Sequence, residues 1–91
     1  MTRPKQIGEP DIARWLIQSI SSITDVPPGE VSDTAPFTSL GLDSAAAVSL
    51  TGELEDWLGI RLDPTLLYDF TTIKDLSAHL AGQLAEKATV T

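Results

Sequence analysis

Phe37-Thr38-Ser39-Leu40-Gly41-Leu42-Asp43-Ser44 is the stretch of this 91-residue chain best equipped for chemistry. Gly41 permits a sharp turn, Phe37, Leu40 and Leu42 supply apolar anchors, and Asp43-Ser44 opens the helix that the following residues call for. A serine hydroxyl at such a junction suits covalent attachment of a phosphate. Unpaired backbone N–H groups and the positive end of the helix dipole both favour an anion there. Asp and Ser are also among the commonest helix N-caps, so the pair taken alone marks no more than the start of a helix.

Two other chemistries can be weighed in the same chain. As a nucleophile, Ser44 would need a base, and His79 is the only histidine. The surroundings of Ser44 lack G-x-S-x-G, and His79 falls in a helix with an ordinary apolar stripe, which reads as a lone surface histidine. Acids are plentiful, yet there is no D-x-[DN]-x-[DN]-G loop to hold a cation, so no metal site is expected. With no cysteine, disulfides, thiolate nucleophiles and thiolate metal sites are all excluded.

The length suits one domain with a modest core, too small for most enzyme scaffolds with a deep cleft. Thirteen acids against six bases give a net charge of −7, which repels nucleic acid phosphates and anionic membranes and leaves basic protein surfaces as partners. Solubility alone would account for the total. The distribution is more telling: Asp43, Glu53, Glu55, Asp56, Asp63 and Asp69 surround the candidate serine, with Arg61 the only base among them. The amino terminus has no apolar stretch like a signal sequence or membrane span, so a soluble cytoplasmic protein is expected.

The elements that must position Ser44 follow from periodicity. Ile12, Trp15, Leu16, Ile20 and Ile23 recur at helical steps and predict a helix from about Asp11 to Ile23, with Pro10 in its first turn, residues 1–10 otherwise flexible and Trp15 in the core. Val26-Pro27-Pro28-Gly29 breaks it. A long connection runs from Glu30 to Leu42, stiffened by Pro36 and pinned by Val31, Phe37, Leu40 and Leu42.

A second helix is predicted over Ser44 to Leu58, ended by Gly59. Its core side carries Ala47, Leu50, Leu54, Trp57 and Leu58; the other side carries Ala45, Val48, Ser49, Gly52, Glu55 and Asp56. Gly52 costs about 1 kcal/mol relative to alanine, and is either merely tolerated or marks close approach by another surface. Asp63 and Pro64 start a brief third helix through Leu66, Leu67 and Tyr68. Thr71 or Thr72 caps a last helix with Ile73, Leu76, Leu80 and Leu84 inward, and residues 85–91 form a frayed tail. The expected fold is all-α: a small bundle of three main helices and one short one, with a long loop between the first and second, occupying residues 11–84.

The F-x-x-L-G-x-D-S octet and the helix it opens resemble the attachment site of the acyl carrier protein family, and the layout from Ile12 to Leu84 is similar to that fold. The resemblance implies a non-catalytic carrier with a 4′-phosphopantetheine arm on Ser44, installed by a phosphopantetheinyl transferase, and acyl intermediates held on it as thioesters. It implies that Asp43 helps the transferase engage the site. It makes Val48, Leu50, Leu54 and Leu58 the apolar positions of the second helix, and Glu55 and Asp56 its partner-facing acids. The partner surface expected on these grounds is Ala45, Val48, Ser49, Gly52, Glu53, Glu55 and Asp56.

Leu42-Asp43-Ser44 resembles acyl rather than peptidyl carriers, and Pro64-Thr65-Leu66-Leu67-Tyr68-Asp69-Phe70-Thr71-Thr72 is similar to the P-T-L-x-[FY]-D-x-P-T segment of modular polyketide synthase carriers. The implied setting is polyketide or lipid-like biosynthesis. The implied partners are an acyl-loading enzyme (an acyltransferase or acyl-adenylate ligase) and a ketosynthase or other chain-processing enzyme, meeting a monomer. Ala45, Gly52 and Thr71 depart from the family pattern, the first two by offering partners less apolar surface. The rival from another class is a helical adaptor without a prosthetic group.

Overall fold

The computed structural model describes the backbone of residues 7–89 and the side chains of residues 7–85. Helix α1 (Glu9–Thr24) is capped by Gly8, whose N–H donates to the Asp11 carboxylate at 3.0 Å. That closure of the first turn draws Glu9 and Pro10 into the helix, so the expected flexible segment does not reach residue 10; its residues 1–6 lie outside the described residues. Ile12, Leu16 and Ile20 are fully buried, and α1 packs mainly on the last helix. Ile23, on the same stripe, is exposed. Periodicity reports which side of a helix faces inward, not how far along it the neighbours extend.

Helix α2 (Ser44–Leu58) spans the predicted residues and buries Ala47, Leu50, Thr51 and Leu54. Thr51 enters the core because its hydroxyl donates to the Ala47 carbonyl at 2.8 Å, which satisfies the polar atom without outside help. Trp57 was expected inward but is exposed, and Trp15 is half-buried. Their rings stack with centroids 5.2 Å apart and planes within 8°, so each covers one face of the other at the rim of the core. Gly59 ends α2 at φ 71°, its N–H bonded to the Glu55 carbonyl at 2.8 Å. That left-handed conformation is one glycine adopts without a Cβ penalty.

Helix α3 (Leu66–Asp69) buries Leu66 and Leu67. It starts two residues after Pro64 because the Thr65 backbone N–H and hydroxyl donate to Asp63 Oδ1 at 2.9 and 2.7 Å, holding residues 63–65 in a turn instead of a helix. Helix α4 (Ile73–Thr89) is capped by Thr72, whose hydroxyl accepts the Asp75 N–H at 3.1 Å. It continues through Thr89, past the Leu84 at which the tail was expected to fray. Ala85, Glu86, Lys87 and Ala88 are good helix formers and extend the backbone pattern without an apolar stripe. Residues 90–91 of that tail lie outside the described residues.

The connection from α1 to α2 is ordered by 3₁₀ turns at Pro28–Glu30 and Phe37–Leu40 and by burial of Val31, Phe37 and Leu42. Two backbone hydrogen bonds fasten it to the entry of α4: Phe37 N–H to the Thr71 carbonyl at 2.8 Å and Lys74 N–H to the Asp33 carbonyl at 2.9 Å. The expected anchors hold, and the bundle is the expected one of three long helices and a short one.

Two outcomes test this packing. Leu54→Ala should cost about 2–5 kcal/mol in urea unfolding, whereas Val48→Ala on the exposed side should change stability by less than about 0.5 kcal/mol. The two bonds from Thr65 hold the Asp63 carboxyl below its ordinary value of 3.8, so the stability of that turn is present above this value and lost as pH falls through the lower, folded one. The Thr65 amide resonance should therefore titrate with a midpoint below 3.8, and Asp63→Asn should abolish the titration.

Candidate functional site

Asp43 sits at the N-cap of α2 in an extended conformation, its Oδ1 accepting the Ala46 N–H at 2.8 Å and its carbonyl accepting the Ala47 N–H at 2.9 Å. Because Asp43 caps, Ser44 does not have to. Ser44 is the first residue of the helix and exposed, with its hydroxyl outside the helix's own bonding. The cap takes up the Ala46 N–H, and no protein acceptor among the described residues takes those of Ser44 and Ala45, which stand beside the hydroxyl at the positive end of the helix. The Asp43 carboxylate thus has a structural task of its own, closing the first turn of α2.

Gly41 makes the approach to this cap possible. It closes the 3₁₀ turn at φ 91°, where a side chain would be strained, and delivers buried Leu42 directly before Asp43. Ser44 lies at a cleft of about 340 Å³ whose apolar wall is Pro36, Phe37, Leu42, Ala47 and Leu67 and whose polar groups come from Thr38, Asp43, Ser44, Tyr68 and Thr71. The Tyr68 hydroxyl donates to Ser44 Oγ at 3.4 Å. His79 is half-buried rather than the surface residue expected, stacked on Phe70 with ring centroids 4.1 Å apart. The hydroxyl partner of Ser44 is thus Tyr68, and no serine–histidine pair is assembled. Among the described residues no group of acids and histidine is arranged to hold a metal ion, and no helix is long and apolar enough to cross a membrane.

Residues 14–80 match the family model described as the phosphopantetheine attachment site. The chain belongs to that family. Its prosthetic group is 4′-phosphopantetheine, and the site suits it: an exposed primary hydroxyl, open helix N–H groups for a phosphate, and an apolar cleft alongside.

This carrier domain is 38% identical over 72 residues to polyketide synthase PksM of Bacillus subtilis, matching 79% of the chain and 2% of that synthase. Acyl carrier protein TtuC of Teredinibacter turnerae is 27% identical over 73 residues, with 80% of this chain and 84% of that one covered. The domain thus spans about one fiftieth of the Bacillus synthase but most of the small carrier. Among solved structures, a free-standing peptidyl carrier protein from Acinetobacter baumannii superimposes with a TM-score of 0.80 at 34% identity, covering 85% of this chain and 96% of that one. The HMG-ACPI domain of the CurA module from Lyngbya majuscula gives 0.83 at 27% identity, covering 98% and 90%.

The carrier domain's expected partner-facing residues separate into two groups. Ala45, Val48, Ser49, Gly52, Glu53 and Asp56 are all exposed and, at 100° per residue, share an arc of about 140° around α2. Glu55 stands apart: it is half-buried, and its Oε2 accepts the Leu62 N–H at 2.7 Å, tying the end of α2 to the following loop. Among the described residues, no atom outside the helix's own backbone lies within 4 Å of where a Cβ on Gly52 would be, so none of them requires glycine there. The residue that sequence reading missed at the site is Tyr68. Its signal was an aromatic with a hydroxyl one step beyond the buried Leu66-Leu67 pair, where helical rotation turns it away from the core.

Asp43→Ala should destabilise the apo domain by about 0.5–2 kcal/mol through loss of the cap, and Asp43→Asn should recover most of it, as measured by denaturant unfolding.

Proposed function

We propose that Ser44 is the attachment point of the 4′-phosphopantetheine arm and that the domain carries acyl groups between enzymes of a polyketide or lipid-like assembly pathway. The observation that carries this reading is the division of labour at the start of α2: Asp43 caps the helix, and the adjacent Ser44 is left exposed with its hydroxyl not needed for capping. When bound, the arm supplies a terminal thiol, which this cysteine-free chain lacks, and holds the cargo as a thioester.

The chain's own residues do the rest. Ser44 presents its oxygen to a phosphopantetheinyl transferase, where a bond from Oγ to the arm's phosphorus would form as the pyrophosphate P–O bond of coenzyme A breaks, the nucleotide bisphosphate leaving and the serine proton passing to a base of the transferase. Asp43 fixes the backbone there and forms part of the surface the transferase reads. Ala45, Val48, Ser49, Gly52, Glu53 and Asp56 form the surface that meets the transferase, an acyl-loading enzyme and a ketosynthase or other processing enzyme in turn. Small side chains allow close approach, and the carboxylates steer basic partners and release them again. Glu55 contributes charge to that field while its bond to Leu62 N–H braces the loop. Tethering raises the effective concentration of cargo at each active site. The Pro64–Thr72 segment and the likeness to synthase carrier regions favour polyketide assembly, and the cytoplasm is the compartment in which these soluble partners would be met. The 34% identity to a peptidyl carrier supports a second reading in which the cargo is an aminoacyl group; the attachment chemistry is the same in both.

Incubation with coenzyme A and a broad-specificity phosphopantetheinyl transferase should add one phosphopantetheinyl mass to the intact protein and none to Ser44→Ala. Folded wild-type protein that gains no mass, and carries none beforehand, would leave a helical adaptor as the better reading.

A further inference from the structure

Core packing does not account for Tyr68. The side chain is 60% exposed, although α3 buries Leu66 and Leu67 immediately before it. Tyr68 lines the cleft beside Ser44, and its hydroxyl reaches 24 residues back along the chain to Ser44 Oγ at 3.4 Å. An O–H to oxygen contact of that length is at the far end of the hydrogen-bonding range, so it adds little to the stability of the unmodified chain. A neutral serine oxygen is a modest acceptor. A phosphodiester oxygen in its place is anionic, and charge-assisted hydrogen bonds of this kind are shorter and about twice as strong.

The composition of the cleft sharpens the point. Its lining includes no lysine or arginine, and its one charged group is the Asp43 carboxylate, which repels a neighbouring phosphate. Among the cleft residues, the groups able to meet the attached charge are therefore the open N–H groups of α2 and neutral hydroxyl donors. Among the described residues, Tyr68 is the one whose hydroxyl reaches Ser44 Oγ.

We propose that Tyr68 is a positioning residue for the prosthetic group: its hydroxyl donates to the phosphate esterified to Ser44 and holds the root of the arm against α3 at the cleft. The proposal rests on attachment at Ser44. Tyr68→Phe keeps the ring and removes only the donor, so the fold and the mass gain survive while the arm loses its anchor.

The test uses the protein loaded from coenzyme A, with its mass checked first. The ³¹P resonance of the loaded wild type at neutral pH should differ from that of loaded Tyr68→Phe; coincident resonances overturn the proposal. Circular dichroism should show both loaded proteins equally helical, so that the ³¹P difference reports the lost donor and not a change of fold. The difference should persist in 1 M salt, where the screening length is about 3 Å. Its absence, or its collapse in salt, would mean the hydroxyl makes no bond to the phosphate. Failure to gain mass would instead defeat the attachment reading, and this one with it.

Discussion

The bonds from Phe37 N–H to the Thr71 carbonyl and from Lys74 N–H to the Asp33 carbonyl, at 2.8 and 2.9 Å, fix the register between two stretches of chain that also share the buried core. One is the connection between α1 and α2; the other is the passage from α3 into α4. With Phe37 buried beneath the junction, the turn that leads to Asp43 and Ser44 is held against the elements that supply Leu67, Tyr68 and Thr71 to the cleft. A loop free of that fastening would sample many positions, and the serine would move with it.

The site built on this frame is economical in its parts. A helix must satisfy its first N–H groups, and the residue that does so has its side chain turned back on the backbone. Assigning that task to Asp43 leaves the next residue free to carry chemistry, at the end of the helix where a negative charge is best tolerated. The same carboxylate would repel a phosphate carried on Ser44, as proposed above, and neutral donors and the helix dipole would then do what a lysine or arginine does in a dedicated phosphate pocket.

α2 serves both needs because a single rotation separates them. Leu50, Leu54, Ala47 and Thr51 face inward, and Ala45, Val48, Ser49, Gly52, Glu53 and Asp56 face outward. Residues at the boundary take structural work instead: Glu55 bonds the loop backbone, and Trp57 stacks on Trp15. Charge alone thus does not identify a docking residue. An acid at the edge of the buried arc finds a backbone donor within the fold, whereas Glu53 and Asp56, nearer the middle of the open arc, meet solvent.

What the sequence determined by itself was local. The helical periods of Ile12 to Ile20, Leu50 to Leu54 and Ile73 to Leu80, the glycines at 41 and 59, and the Asp-Ser pair each act through near neighbours, and their consequences were legible in order along the chain. Element limits were less legible where a side-chain bond moved them, as Asp11 did for α1 and Thr65 for α3. Tertiary structure alone decided that Trp57 stands at the rim, that Ile23 projects past the core, that His79 stacks on Phe70, and that the Tyr68 hydroxyl reaches Ser44. Each of those depends on how two elements distant in sequence are set against one another, and a one-dimensional pattern records the face of a helix without recording its neighbour.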